Sequence, residues 1–183
     1  MIHLPTKPRY LEISPRQTGK THRLIQDATH QHYGNGKVIA IVSCMDPRYW
    51  KDQAPFAKAI GQSDEEVIEL LNRAGVAPFS DKVAWYYDDF DFLRRQPRII
   101  RHDAYYVTTP KTLRDFSTMS EEDVEQDFLM ALVLGMGGVY AVAAPAPLTF
   151  RNRTQMMSNL PEEMLETEVK GHPWTVTQRL KRL

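Results

Sequence analysis

An α/β domain built on a mainly parallel sheet flanked by helices is what this sequence predicts, and three features predict it. Short apolar runs rich in β-branched and aromatic residues recur along the chain. Helical patterns separate them, and several runs lack the alternation of a half-exposed strand, as strands covered on both faces do. At 183 residues the chain fits one domain large enough to bury such a sheet.

The first run, Tyr10 to Ile13, is followed by a helical pattern from Thr21 to His32, and the second run is Val38 to Ser43. The tract from Met45 to Gln62, with its prolines and scattered charges, reads as mixed helix and loop. Ser63-Asp64-Glu65-Glu66 has the form of a capping box for a helix reaching about Ala74. The third and fourth runs are Val83 to Tyr87 and Tyr105 to Thr108, and Ser120-Glu121-Glu122-Asp123 repeats the capping signature. From Phe128 to Leu148 no residue is charged, but Gly135, Gly137 and Gly138 interrupt the stretch. It reads as a buried helix, a glycine turn and a fifth strand, Val139 to Ala143, rather than a membrane span. A core over residues 1–150 is expected, with 151–183 as a helical or tail extension in which Pro161 to Leu165 starts a short helix and residues beyond Gly171 form a tail.

Composition is that of a soluble globular protein, 42% hydrophobic and 25% charged, and 23 basic residues balance 23 acidic ones. No global attraction to nucleic acid or membrane follows, so such contacts need a local patch, of which Arg94, Arg95, Arg98 and Arg101, or the tail Gln178 to Arg182, are the candidates beside a solvated-surface reading. The single cysteine, Cys44, reads as a buried free thiol in a reducing compartment, and Met1 to Pro8 carries no apolar core of signal-peptide length. His22, His30 and His32 lack companions at metal-ligand spacing, and Trp50, Trp85, Trp174, Tyr33, Tyr86 and Tyr87 read as core or interface anchors.

The chemistry concentrates where the first strand gives way to the first helix. Ser14-Pro15-Arg16-Gln17-Thr18-Gly19-Lys20-Thr21 meets the phosphate-loop (Walker A) pattern G-x-x-x-x-G-K-[ST] at its last three positions, with Ser14 in place of the first glycine. Gly19 lets the backbone approach a phosphate, Lys20 reaches the β- and γ-phosphates, and Thr21 can ligate Mg²⁺ at a helix N-terminus. A second motif, Asp88-Asp89, ends an apolar strand and runs into Phe90-Asp91-Phe92. Adjacent carboxylates there are costly unless a cation compensates them, which fits a Walker B position with Asp88 in the Mg²⁺ shell and Asp89 activating water, against the plainer reading of an acidic turn. In the third, Tyr105-Tyr106-Val107-Thr108-Thr109-Pro110, a threonine could sense the γ-phosphate or the attacking water, or the two could cap the following segment.

In order and wording these three motifs resemble the ATPase domain of tailed-phage terminase large subunits, the DNA-packaging motors of bacteriophages. The resemblance spans roughly Tyr10 to Ala143 in layout and three short motifs in residues. It implies a P-loop NTPase of the additional-strand (ASCE) type, in which the coupling strand lies between the phosphate-loop strand and the acidic strand. It implies Arg16 as the loop arginine, Lys20 and Thr21 as phosphate and Mg²⁺ contacts, Asp88 as the metal-shell acid, Asp89 as the catalytic carboxylate and Thr108-Thr109 as the coupling element. ATP and Mg²⁺ would be the ligands, ADP and phosphate the products. Double-stranded DNA, capsid or portal proteins and further copies of the chain would be the partners, in the host cytoplasm or with the virion.

Asp89 departs from the family's usual glutamate by one methylene, the spacing from Lys20 to Asp88 is compact, and these 183 residues are expected to leave no room for the nuclease domain of those subunits. The competing reading is therefore a catalytically weak or inactive P-loop protein retained as a virion or assembly component. A small nucleotide kinase ranks below both, for want of an acceptor-binding signature. An arginine acting across a subunit interface would come from Arg94, Arg95, Arg151 or Arg153.

Overall fold

The computed structural model describes residues 8–14, 18–101, 103–112, 114–115, 120–135, 142–143, 165–169 and 176–180. Its centre is a five-stranded sheet, all of whose pairings are parallel. The strands are β1 (Tyr10–Ile13), β2 (Val38–Ser43), β3 (Ala59–Gly61), β4 (Val83–Asp88) and β5 (Tyr105–Thr108), in the spatial order β1-β5-β4-β2-β3. The helices are α1 (Lys20–Asn35), α2 (Pro47–Gln53), α3 (Asp64–Arg73), α4 (Glu121–Gln126) and α5 (Phe128–Gly135).

The unalternating apolar runs have a simple cause: both faces of the sheet are buried. Ile39, Ile41, Tyr86, Tyr105 and Val107 pack with Leu24 and Ala28 of α1 and with Trp50 of α2. Ala40, Val42, Trp85, Tyr87 and Tyr106, one residue out of phase, pack with Val67 and Leu71 of α3 and with Leu129, Met130, Leu132 and Val133 of α5. Successive side chains of a strand point to opposite faces, so a strand between two helical layers must be apolar at nearly every position.

Local signals set most helix ends. Helix α1 stops at Gly36, whose φ of 64° is left-handed and whose N–H donates to the carbonyls of Gln31 and His32. Helix α2 starts at Asp46, whose carboxylate accepts from Arg48 N at 2.8 Å ahead of Pro47 in the first turn. Ser63 accepts from Glu66 N at 3.3 Å, but the Glu66 carboxylate accepts from Gln62 N at 2.8 Å, so the reciprocal half of the expected box falls one residue earlier. At α4 the box is complete, between Ser120 and Asp123.

The structure departs from the sequence expectation in several places. The fifth strand of the parallel sheet is Ala59–Gly61, inside the tract read as helix and loop, and not the Val139 to Ala143 run. Three residues on a sheet edge, ending in glycine, leave no periodic signal to read. Of that later run Val142–Ala143 forms β7, antiparallel to β6 (Arg114–Asp115) in a separate pair, and residues 139–141 lie outside the described residues. Of the helical start expected over Pro161 to Leu165, residues 161–164 lie outside the described residues and Leu165 opens β8 (Leu165–Val169), and the expected tail holds β9 (Val176–Leu180), its antiparallel partner. The alternation Leu165-Glu166-Thr167-Glu168-Val169 has the period of two that a hairpin requires. Cys44, beyond the fully covered part of β2, is only partly buried. Among the described residues no helix is long and apolar enough to cross a membrane.

Candidate functional site

All three motifs arrive at the carboxyl edge of the sheet. Ser14 follows β1, Asp88 ends β4, and Thr109 follows β5, which lies between them. The register pairs Ile13 with Thr108 and Asp88 with Val107, and Ser14 N donates to the Thr108 carbonyl at 3.1 Å. Residues separated by more than ninety positions in sequence thus meet at one edge.

At this edge α1 begins without a side-chain cap. Gly19 stands at its N-cap with φ 79°, and no acidic residue occupies the first turn. Its leading N–H groups are left for another acceptor, and the helix dipole favours a negative one. Lys20 is 5% exposed and its Nζ lies 3.4 Å from Asp89 Oδ1, an ion pair rather than a close hydrogen bond. Thr21 Oγ1 donates to Asp88 Oδ1 at 2.9 Å.

Asp88 is 1% exposed, and Ser43 Oγ at the end of β2 donates to its second oxygen at 3.3 Å. Burial, and then the neighbouring Asp89 charge, push the Asp88 carboxyl up to about 6, against the Thr21 bond and the Lys20 charge. Asp89 itself is held at φ 45°, ψ 45°, a left-handed conformation that residues other than glycine seldom adopt and that here starts a 3-10 turn over Phe90–Phe92. Its Oδ1 is buried without a hydrogen-bond partner among the described residues. A strained acid with an orphaned oxygen facing a buried ammonium is an arrangement packing alone does not require.

No family model, curated protein or solved structure matches the chain. Its chemistry must therefore be read from its own side chains.

Of the residues singled out in the sequence, the structure brings together Ser14, Thr18, Gly19, Lys20, Thr21, Asp88, Asp89, Thr108 and Thr109. Pro15, Arg16 and Gln17 lie outside the described residues, as do Arg151, Arg153 and Trp174. Arg101 leaves the proposed basic patch: its side chain is 9% exposed, paired with Asp64 at 3.1 Å, bonded to Tyr87 Oη at 2.6 Å and stacked 3.8 Å over the Trp85 ring. Arg94, Arg95 and Arg98 remain exposed. Trp50, Trp85, Tyr86 and Tyr87 are buried, whereas Tyr33 is 72% exposed.

The two threonines part company. Thr108 Oγ1 accepts from Asp91 N at 3.2 Å and donates to the Thr109 carbonyl at 3.2 Å, so it is spent inside the fold. Thr109 is 1% exposed and its Oγ1 has no hydrogen-bond partner among the described residues. Thr108→Val should therefore cost about 1–3 kcal/mol in denaturant unfolding, by stranding buried polar groups, and Thr109→Val less than about 0.5 kcal/mol. Equal losses in the two variants would remove the distinction.

Three contributors escaped the sequence reading. Ser43 supports Asp88. Asp91, read as a continuation of the acidic turn, is 3% exposed and takes a bidentate pair from Arg114 at 2.6 and 2.8 Å and the Lys111 N–H at 2.5 Å. Glu12, 1% exposed in the middle of β1, pairs with Arg23 of α1. The signal available for the last two was the expense of an acid among apolar neighbours, which demands a partner somewhere.

Proposed function

We propose that this chain is a P-loop NTPase of the additional-strand type that binds ATP with Mg²⁺ and hydrolyses it, coupled to DNA packaging or translocation as in the tailed-phage terminases it resembles. The observation that carries the reading is the meeting of the two motifs: Thr21 Oγ1 with Asp88 Oδ1 at 2.9 Å and Lys20 Nζ with Asp89 Oδ1 at 3.4 Å. The strand order, with β5 between the phosphate-loop strand and the acidic strand, supports it.

The side chains fit the ligands. Among the described residues no group of three or more His, Cys, Asp or Glu could hold a metal by itself. Hydroxyl and carboxylate oxygens do converge at Thr21 and Asp88, and Mg²⁺ characteristically takes one or two such protein ligands and completes its shell from phosphate and water. Bound there, the metal would neutralise charge on the β- and γ-phosphates. The uncapped N–H groups of α1 receive phosphate oxygens, and Lys20 exchanges its contact with Asp89 for one with the γ-phosphate. Asp89, released, takes a proton from water as the water oxygen bonds to the γ-phosphorus. The bond from that phosphorus to the β,γ-bridging oxygen breaks, and ADP leaves with the electron pair. In this scheme Thr109, whose hydroxyl is unspent among the described residues, is the member of the coupling element that would sense that phosphate or water, and Arg16 is the loop arginine.

The competing reading, a nucleotide-binding or nucleotide-free component of a virion or its assembly, draws on Asp89. Its carboxylate is one methylene shorter than the usual glutamate and already engaged with Lys20. Steady-state phosphate release with ATP and Mg²⁺, with and without double-stranded DNA, separates the two. Turnover that is stimulated by DNA and lost in Asp89→Asn supports the motor; nucleotide binding without turnover supports the assembly component.

A further inference from the structure

The loop departs from the general pattern at its first position, where Ser14 replaces glycine, and the structure gives that serine an occupation. Ser14 is 1% exposed; its Oγ donates to Glu12 Oε1 at 2.9 Å and lies 2.8 Å from Thr18 Oγ1. The residue entering the loop is thereby tied to the residue four positions later at its exit. Glu12, 1% exposed, also accepts from Tyr10 Oη at 3.2 Å and from two nitrogens of Arg23, Nε at 3.1 Å and Nη2. The third Arg23 nitrogen, Nη1, donates to the Thr18 carbonyl at 2.9 Å. A single guanidinium therefore joins a buried strand carboxylate to the backbone of the loop exit, and a Cβ on Gly19 would come within 3.3 Å of that same Nη1.

We infer that Glu12, Ser14 and Arg23 form a pin that holds the two ends of the phosphate loop at a fixed separation before nucleotide arrives. The pin makes Ser14 a positioning residue rather than a degraded glycine. The inference rests on the nucleotide-site reading given above. Its physical content is preorganisation: a loop whose ends are already joined loses less conformational freedom when its N–H groups close on phosphate. The arrangement also explains the buried charge. A carboxylate at the centre of β1 is tolerated because Arg23 and two hydroxyl donors satisfy it, and Arg23 in turn is held in the one orientation that reaches Thr18 O. The hydrogen bond to Glu12 raises the Arg23 guanidinium above its ordinary value, outweighing the partial burial that acts the other way.

The consequence runs against the sequence pattern. Ser14→Gly, which restores the general motif, should weaken nucleotide binding as Ser14→Ala does. Isothermal titration with ATP in the presence of Mg²⁺ should show dissociation constants raised about five- to twentyfold in both variants, with melting temperatures within about 4 °C of wild type. Arg23→Lys, which keeps a cation beside Glu12 but loses the fork that reaches Thr18 O, should lose affinity to a similar extent. It decides the matter alone if the Ser14 variants fail to fold. Ser14→Thr, which retains the hydroxyl, should stay within about threefold of wild type. Wild-type affinity in Ser14→Ala, Ser14→Gly and Arg23→Lys, beside lost binding in Lys20→Ala, overturns the pin and leaves the nucleotide site standing. Absence of ATP binding by the wild type overturns both.

Discussion

Lys20→Ala is expected to abolish nucleotide binding, raising the dissociation constant for ATP with Mg²⁺ by about a hundredfold or more. Hydrogen bonds to a charged group contribute about 1.5–3 kcal/mol each, and an ammonium between β- and γ-phosphates makes at least two. Lys20 is suited to that task by its surroundings. It is 5% exposed, at the first position of a helix whose N-terminus has no side-chain cap, with its stem held by the fold and its charge opposite Asp89. A lysine that served only to neutralise the acidic pair would give another result: the variant would bind ATP as the wild type does and would differ in stability alone. Lys20→Met, which keeps the apolar stem and removes the charge, separates lost packing from lost charge. Fluorescence titration with a labelled ATP analogue, with folding checked by circular dichroism, measures both. Retention of tight binding by either variant would overturn the site.

What made this site legible was local. The Gly19-Lys20-Thr21 triplet, the strand-terminal Asp88-Asp89 pair and the Ser120 cap are contained within a few residues, and the structure places each where a strand or helix ends. The α/β class was legible for a related reason. Two-sided burial removes alternation from a strand, and that loss is visible in Val38 to Ser43 and Val83 to Tyr87 without knowledge of their neighbours. What could not be read was pairing. Nothing in the tract around Ala59 distinguishes a three-residue edge strand from loop, because its structure comes from the β2 backbone beside it. Nor does the sequence near Glu12 or Asp91 name Arg23 or Arg114 as partner, since each partner sits on another element, Arg23 on α1 and Arg114 on β6, and the sequence does not show which side chains meet across elements. Thr108 and Thr109 could not be told apart in sequence for the same reason: it is the 3-10 turn after β4 that brings Asp91 N to one hydroxyl and leaves the other unspent. The place of Asp88 at a strand end is visible in sequence, yet the supporting Ser43 depends on β2 and β4 being in register, Ser43 opposite Asp88.

Arg114→Met is expected to destabilise the domain by about 3–5 kcal/mol, a large part of the stability of an ordinary domain. The Asp91 side chain is 2% exposed, and both its oxygens are taken up by Arg114, at 2.6 and 2.8 Å, with the Lys111 N–H on the second. Removing the guanidinium leaves a buried carboxylate with, among the described residues, one backbone donor and no cation beside it, which is far costlier than never having had the pair. Arg114 Nε also donates to Asp127 Oδ2 at 2.6 Å, and Asp127 Oδ1 accepts from Met130 N in the first turn of α5. The guanidinium thus joins the turn that carries Asp89 to the start of the helix whose Leu129, Met130, Leu132 and Val133 cover one face of the sheet. Two further variants test the cause. Asp91→Asn in the wild-type background should cost less than Arg114→Met, because the Arg114 guanidinium keeps Asp127 as its counter-charge, and the double variant Asp91→Asn/Arg114→Met should lose clearly less than the sum of the two. Urea unfolding of the four proteins closes the cycle. A loss below about 1 kcal/mol in Arg114→Met would place the pair among solvent-screened surface ion pairs, and strict additivity would mean that Arg114 acts through Asp127 and α5 rather than through Asp91.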